Sequence, residues 1–266
     1  WLLEFILRGQ KQLFGNVNFS LPFFNGIISI LFIGIAAYLI IDILEIDSMF
    51  AWTAITGVMA TFPAITGLFG YMFTAPVYMF GMCLTVVGAY IICRRVHWIN
   101  LSIGALLIAC SIGIYQAYMP LAVSVFVLVF LHDVLNSDTM TWKIYFYKIL
   151  YFIGSCVSFL IIYLLLNKVS LIYFNGQLDD YQGINSFGVT SLKGYCLRIL
   201  VAYKEFFFPT NGVSRNMYPF TIDRFYQIMI LATGILLFIL AIREWRNNKV
   251  KLVRTCLLII IFPLAT

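Results

Sequence analysis

Ionisable side chains are what this sequence has least of: Asp, Glu, Lys and Arg account for 11% of its 266 residues, against roughly 25% in an average soluble domain. That deficit argues against one large soluble core, whose helices would carry a polar face every few residues. Histidine is nearly missing too, with His97 and His132 as the whole supply, which leaves an imidazole metal centre little to use. The six cysteines, at 83, 93, 110, 156, 196 and 256, show no CxxC spacing and lie mostly in apolar runs. They read as small packing residues rather than as disulfides or metal ligands. Lys and Arg outnumber Asp and Glu by 17 to 11, a formal charge of +6. No basic cluster is interleaved with exposed aromatics, so the excess points to lipid headgroups and cytoplasmic loops and not to nucleic acid. No Met or signal-peptide pattern opens the chain at Trp1, and an apolar run beginning near Cys256 is unfinished at Thr266. The expectation is an internal piece of a longer protein.

What the chain has in abundance is apolar length. Hydrophobic residues make up 62% of it, and stretches such as Ile27 to Ile41 and Leu160 to Leu166 contain no charge. The fold class expected is an all-α polytopic membrane protein forming a single transmembrane domain over residues 1–266. Residues 1–18 form an interfacial amphipathic segment, with Glu4, Arg8 and Lys11 opposite an apolar face. About six spans occupy residues 19–166, since one crossing takes roughly 20 residues. They are placed at Phe19 to Ile41, 50–70, 76–93, Ile99 to Ile114, Ala117 to Leu131, and Phe146 to Leu166. Pro63 should kink the second. A long extracytoplasmic loop covers 167–223, with a turn-rich stretch around Asp179 and Asp180 and an interfacial helix from Ser191 to Phe208. The last spans lie in 224–266, one at Tyr226 to Ile242 and a truncated one after the basic loop Arg243 to Arg254. The total is about eight crossings.

Basic residues in short loops set the orientation. Arg94 with Arg95, Lys143 with Lys148, and the five basic residues between 243 and 254 fall on one side when the spans alternate, and that side is cytoplasmic. The connection Asp42 to Asp47 has no basic residue, yet the alternation places it inside as well. The opposite face collects the N-terminal segment, the turn Tyr71 to Pro76, the long loop, and the motif Ser111-Ile-Gly-Ile-Tyr-Gln-Ala-Tyr-Met-Pro120. Two tyrosines, a glutamine and a proline between apolar spans are costly in hydrocarbon and belong against protein or in a wet cavity. Aromatic rings stack on sugar faces, Gln bonds hydroxyls in both directions, and Arg or Lys holds phosphate. Tyr71, Tyr115, Gln116 and Tyr118 are therefore the candidate substrate contacts on the sugar side. Arg8, Lys11 and Arg215 are the candidates for a phosphate. Tyr71 and Tyr78 also fit an ordinary headgroup-level aromatic belt.

Trp1-Leu-Leu-Glu4 before an amphipathic run, Thr61-Phe-Pro63, Tyr71-Met-Phe-Thr74 and Gly113-Ile-Tyr-Gln-Ala-Tyr118 together resemble the bacterial glucosyltransferase II family. The likeness is in the order and spacing of the motifs over the first half; the second half agrees in layout. This family acts in O-antigen serotype conversion and belongs to the polytopic C-type glycosyltransferases. The resemblance implies transfer of glucose from polyprenyl phosphate-glucose to a glycan acceptor of lipopolysaccharide type, outside the bacterial cytoplasmic (inner) membrane. A carboxylate would deprotonate the acceptor hydroxyl, with no cofactor besides the lipid-linked donor. In C-type enzymes the key acid lies in the first extracytoplasmic loop, which would fall upstream of Trp1. Within the chain Glu4 and Asp180 are the carboxylates offered as catalytic base, although Glu4 is also placed to pair with Arg8 and solvation alone accounts for Asp180. A transporter or flippase of lipid-linked sugars, or a non-catalytic scaffold of glycan assembly, is the rival reading.

Overall fold

The structure is a computed structural model that describes residues 2, 5, 6, 8, 9, 12, 21–137, 141–174, 191–207, 227–229, 231–236, 238, 239, 242, 243 and 249–265. All regular structure among these residues is helical. The chain divides into two compact units, Trp1–His132 with Thr141–Gln177, and Asp133–Met140 with Leu178–Thr266.

The first unit begins with α1, Pro22–Ile43, which Pro22 opens at its first turn, where a missing N–H costs nothing. It closes in a Schellman arrangement: Ile46 N–H donates to Ile41 O and Glu45 N–H to Asp42 O, each at 3.2 Å. The left-handed position this motif requires is held by Glu45, at φ 50°, where glycine is the usual occupant. Glu45→Gly is expected to raise stability by about 1 kcal/mol, because a side chain in that conformation costs roughly 1–2 kcal/mol, read as a higher midpoint of thermal unfolding in detergent.

Next come α2, Met49–Thr61, and α3, Pro63–Phe69. The Ser48 hydroxyl caps α2 by accepting from Ala51 N–H at 3.4 Å, as a helix start favours. Sequence placed one kinked span over 50–70; the structure shows a break. Phe62 is extended, φ −57° and ψ 132°, because the ring of a following proline excludes helical geometry from the preceding residue. The turn at 70–74 then leads into α4, Ala75–Arg94, and α5, Trp98–Ile114. Two further helices, α6 at Tyr118–Asn136 and α7 at Trp142–Tyr173, follow.

α4 is the central helix. It packs against α1 on one side and α5 on the other, and α5 packs on α7. One core cluster joins Ile33 and Ala36 of α1 to Val77, Met79, Met82 and Val86 of α4. A second gathers Ala89 and Ile92 with Ala105, Ile108, Phe126 and Phe159. Cys93 and Cys156 pack against this second cluster and Cys83 is buried, in keeping with their reading as packing residues. The approach of α4 to α5 is closest at Gly88 and Gly104. A Cβ on Gly88 would lie 2.7 Å from the Gly104 carbonyl oxygen, and one on Gly104 would lie 2.6 Å from that of Gly88. Small residues let helix backbones meet in this way where apolar side chains gain nothing by leaving lipid. Nearer the motif, between the same helices, the Ser111 hydroxyl donates to Gly81 O at 2.6 Å and lies 2.6 Å from Thr85 Oγ1, both side chains fully buried.

α7 is longer than its expected span. At 32 residues it measures about 48 Å, against a hydrocarbon core of roughly 30 Å. Residues 167–173, expected in the loop, continue the helix because no Gly or Pro intervenes before Gly176. Four helices among the described residues, α1, α4, α6 and α7, are long and apolar enough to cross a membrane. α2, α5 and the stretch Gln227–Leu236 are apolar but shorter.

The second unit contains α8, Leu192–Phe207, and α9, Lys249–Ala265, in contact with each other. The Tyr203 hydroxyl donates to the Ile260 carbonyl. α8 matches the helix expected from Ser191 to Phe208. Of the stretch Arg243 to Arg254 expected as a basic loop, Lys249 to Arg254, all helix-compatible residues, form the first turns of α9.

Candidate functional site

Two ends of the first unit can be told apart by their hydrogen bonds. At one, Asp42 closes α1 and Arg94 closes α4, with their charged groups 3.5 Å apart. Tyr90 O–H donates to Asp42 Oδ2 at 2.7 Å, and the Arg94 guanidinium lies 5.2 Å from the Tyr90 ring centre. The connection without basic residues and the Arg94–Arg95 pair thus share an end, as the alternation of spans required. Both ion-pair partners are largely exposed, so the bridge is worth at most about 1 kcal/mol.

The opposite end holds the motif. Asn25 Nδ2 donates to Met72 O at 3.0 Å, joining the start of α1 to the turn before α4. α5 ends at Ile114, Tyr115 is extended at φ −152° and ψ 121°, and α6 restarts at Tyr118. The motif is therefore a tight reversal with its middle residues exposed: Tyr115, Gln116 and Ala117 face out, while Ser111 to Ile114 and Tyr118 are buried. Tyr115 stands edge-on to Tyr78 and to Tyr118, with ring centres 5.5 and 5.6 Å away, the arrangement that aromatic quadrupoles favour. Gln116 Nε2 donates to Tyr163 Oη of α7 at 3.1 Å.

Tyr118 does not meet its sequence expectation as a substrate contact. Its ring is 7% exposed, its hydroxyl donates to the Tyr78 carbonyl at 2.5 Å, and its edge lies over Gly81, where a Cβ would come within 2.6 Å of Cε2. Packing against α4 at Gly81 and Tyr78 turns this tyrosine inward, and it supports the exposed pair from behind. Tyr71 is exposed and pairs edge-on with Phe73, ring centres 6.5 Å apart; among the described residues no ring contact joins it to the Tyr78–Tyr115–Tyr118 group. The Arg8 guanidinium lies 4.7 Å from the centre of the Phe174 ring beyond α7. Glu4, Lys11, Asp180 and Arg215 lie outside the described residues.

Two residues join the site that sequence reasoning did not assign to it. Tyr78 was read as belt, and Tyr163 was one polar position within an apolar run. Phe159, four residues before Tyr163, is fully buried, and positions i and i+4 share a helix face, so packing of α7 turns Tyr163 toward the bundle. An apolar groove of about 290 Å³ is lined by Ile6, Phe32 of α1, and Pro76, Val77 and Phe80 in the first turns of α4. The described part of the N-terminal amphipathic segment thus forms one wall, with Leu2 and Ile6 packed on the same core cluster.

Chemically, this end offers aromatic edges and faces, an amide and a phenol, and the first turns of α4 line an apolar trough. Such a surface suits a hydroxyl-rich headgroup joined to a hydrocarbon chain. No curated protein and no solved structure matches the chain. The sequence profile of the glucosyl transferase GtrII family, however, matches residues 1–266 from end to end. This helical, membrane-compatible chain belongs to the glucosyl transferase GtrII family.

Proposed function

We propose that the chain transfers a glucosyl residue from polyprenyl phosphate-glucose to a bacterial surface glycan of O-antigen type. The reaction is placed at the extracytoplasmic face of the cytoplasmic membrane, within a C-type fold of about eight crossings. On this reading α2 with α3 makes one broken crossing, and α5, residues 226–242 and α9 supply the others not met by the four long helices. The observation that carries the proposal is the meeting of Tyr78, Tyr115, Gln116 and Tyr163 at one end of the bundle, where the first turns of α4, which carry Tyr78, also supply Pro76, Val77 and Phe80 to an apolar groove. A glucose head fits the first group and a prenyl chain fits the second.

The chemistry needs few parts. A carboxylate takes the proton of an acceptor hydroxyl, whose oxygen attacks the anomeric carbon as the bond to the phosphate oxygen breaks. The polyprenyl phosphate departs as an anion, for which Arg or Lys is the natural partner. Glu4 and Asp180 are the chain's candidates for the base, and Arg8, Lys11 and Arg215 for the phosphate contacts. Of these, Arg8 lies among the described residues, its guanidinium 4.7 Å from the centre of the Phe174 ring.

Gln116→Ala in the full-length protein is expected to lower glucosylation by about tenfold, the worth of one well-placed hydrogen bond, with membrane insertion unchanged. Normal glycan product from that variant would count against this end as the sugar site. Movement of lipid-linked sugar across proteoliposomes without transfer would turn the assignment to a transporter.

A further inference from the structure

Gln116 and Tyr163 are bonded in a way that leaves one acceptor and one donor side by side. The amide nitrogen donates to the phenol oxygen at 3.1 Å, so the phenol accepts there and keeps its own proton to give elsewhere. Among the described residues neither that proton nor the side-chain oxygen Oε1 of Gln116 has another partner. Gln116 is exposed and Tyr163 half-buried. The Tyr163 ring packs on the core cluster that includes Phe126 and Phe159, which holds the hydroxyl in place. Gln116 is held by the reversal, through Tyr118 N–H to Tyr115 O and Met119 N–H to Gln116 O, each at 3.1 Å. The exposed Tyr115 ring stands next in the chain.

We infer that Gln116 and Tyr163 form a single subsite for two neighbouring hydroxyls of a hexopyranose. One sugar hydroxyl donates to Gln116 Oε1, and the adjacent one accepts from the Tyr163 hydroxyl. Each hydroxyl both gives and takes, and a fixed amide-phenol pair selects one orientation of the diol. The inference rests on the transferase reading above, and adds to it a residue from α7. It makes Tyr163 a binding residue rather than a reacting one.

The test uses the full-length protein in vesicles, with polyprenyl phosphate-glucose and its 2-deoxy and 3-deoxy analogues as donors and the native glycan as acceptor. Tyr163→Phe keeps the packed ring and removes the donor. It is expected to raise KM by about 3- to 10-fold with kcat nearly unchanged, the size of one neutral hydrogen bond. A rise in donor KM that one deoxy donor reproduces in the wild type, and that the variant does not add to, places the glucose of the donor here. A rise confined to acceptor KM places the acceptor sugar here, and either result supports the subsite. An unchanged KM for both substrates, or a fall in kcat alone, overturns it while transfer by the wild type leaves the transferase reading standing. Absence of transfer by the wild type overturns both.

Discussion

Gly104→Ala is expected to destabilise the first unit by about 2–3 kcal/mol, the range for forcing extra volume into a tight core. The added methyl would sit 2.6 Å from the Gly88 carbonyl oxygen and 2.5 Å from Ile92 Cγ1. Ile92 is fully buried and the carbonyl belongs to the backbone of α4, so neither can yield without moving a helix. Gly88→Ala meets the mirror obstacle, 2.7 Å from Gly104 O and 2.8 Å from Ile108 Cγ1. Gly154→Ala in α7 is the control, since nothing lies within 4 Å of its Cβ position. That change is expected to be neutral or stabilising by up to about 1 kcal/mol through helix propensity. Unfolding free energies from steric trapping in bilayers would separate the two classes. Equal effects at Gly104 and Gly154 would mean that the α4–α5 contact is looser than described.

The second large effect is on turnover. Gly81→Ala is expected to cut glucosyl transfer by about 100-fold, because a shift of roughly 1 Å in a positioned group can cost that much. A Cβ at residue 81 would lie 2.6 Å from Tyr118 Cε2 and 3.3 Å from Ile114 Cγ2, the two residues that bracket the exposed reversal. Tyr118 has nowhere to retreat: it is buried, and its hydroxyl is tied to the Tyr78 carbonyl. Displacing it moves Tyr115 and Gln116 with it. Tyr118→Leu in the Gly81→Ala background removes the clashing ring edge, so the double variant should be more active than Gly81→Ala alone, a coupling that independent sites do not show. Full activity in Gly81→Ala would detach the reversal from the reaction.

Much of this architecture was written in composition. The scarcity of charge predicted a helical membrane protein, and the turn expected at Tyr71 to Pro76 and the interruption expected within Ser111 to Pro120 are found at 70–74 and 115–117. That the Asp42–Asp47 connection and the Arg94–Arg95 pair share an end was legible from the alternation of spans alone, as the Asp42–Arg94 contact shows. Other features were hidden for physical reasons. Pro63 reads alike whether it kinks a helix or divides it, and only the extended Phe62 decides. The far end of α7 was cut short because polar Asn167 and Lys168 resemble a boundary, although the backbone needs no such stop. Tyr118 and Tyr115 differ by three residues in one motif, and no local pattern says that one faces outward and the other inward. Tyr163 reaches Gln116 across 47 positions, a pairing that tertiary packing alone creates.

The buried hydroxyls between α4 and α5 carry a last consequence. Apolar helices in lipid have many nearly equivalent ways to lie against each other, since hydrocarbon solvates their side chains as well as a partner does. Thr85, Ser111 and the Gly81 carbonyl remove that degeneracy, because sliding one helix past the other by a residue would strand polar groups in a dry interior. They act as a register pin. Ser111 is also the first residue of the motif, four positions below Tyr115, so the pin fixes the height at which Tyr115 and Gln116 emerge from the bundle.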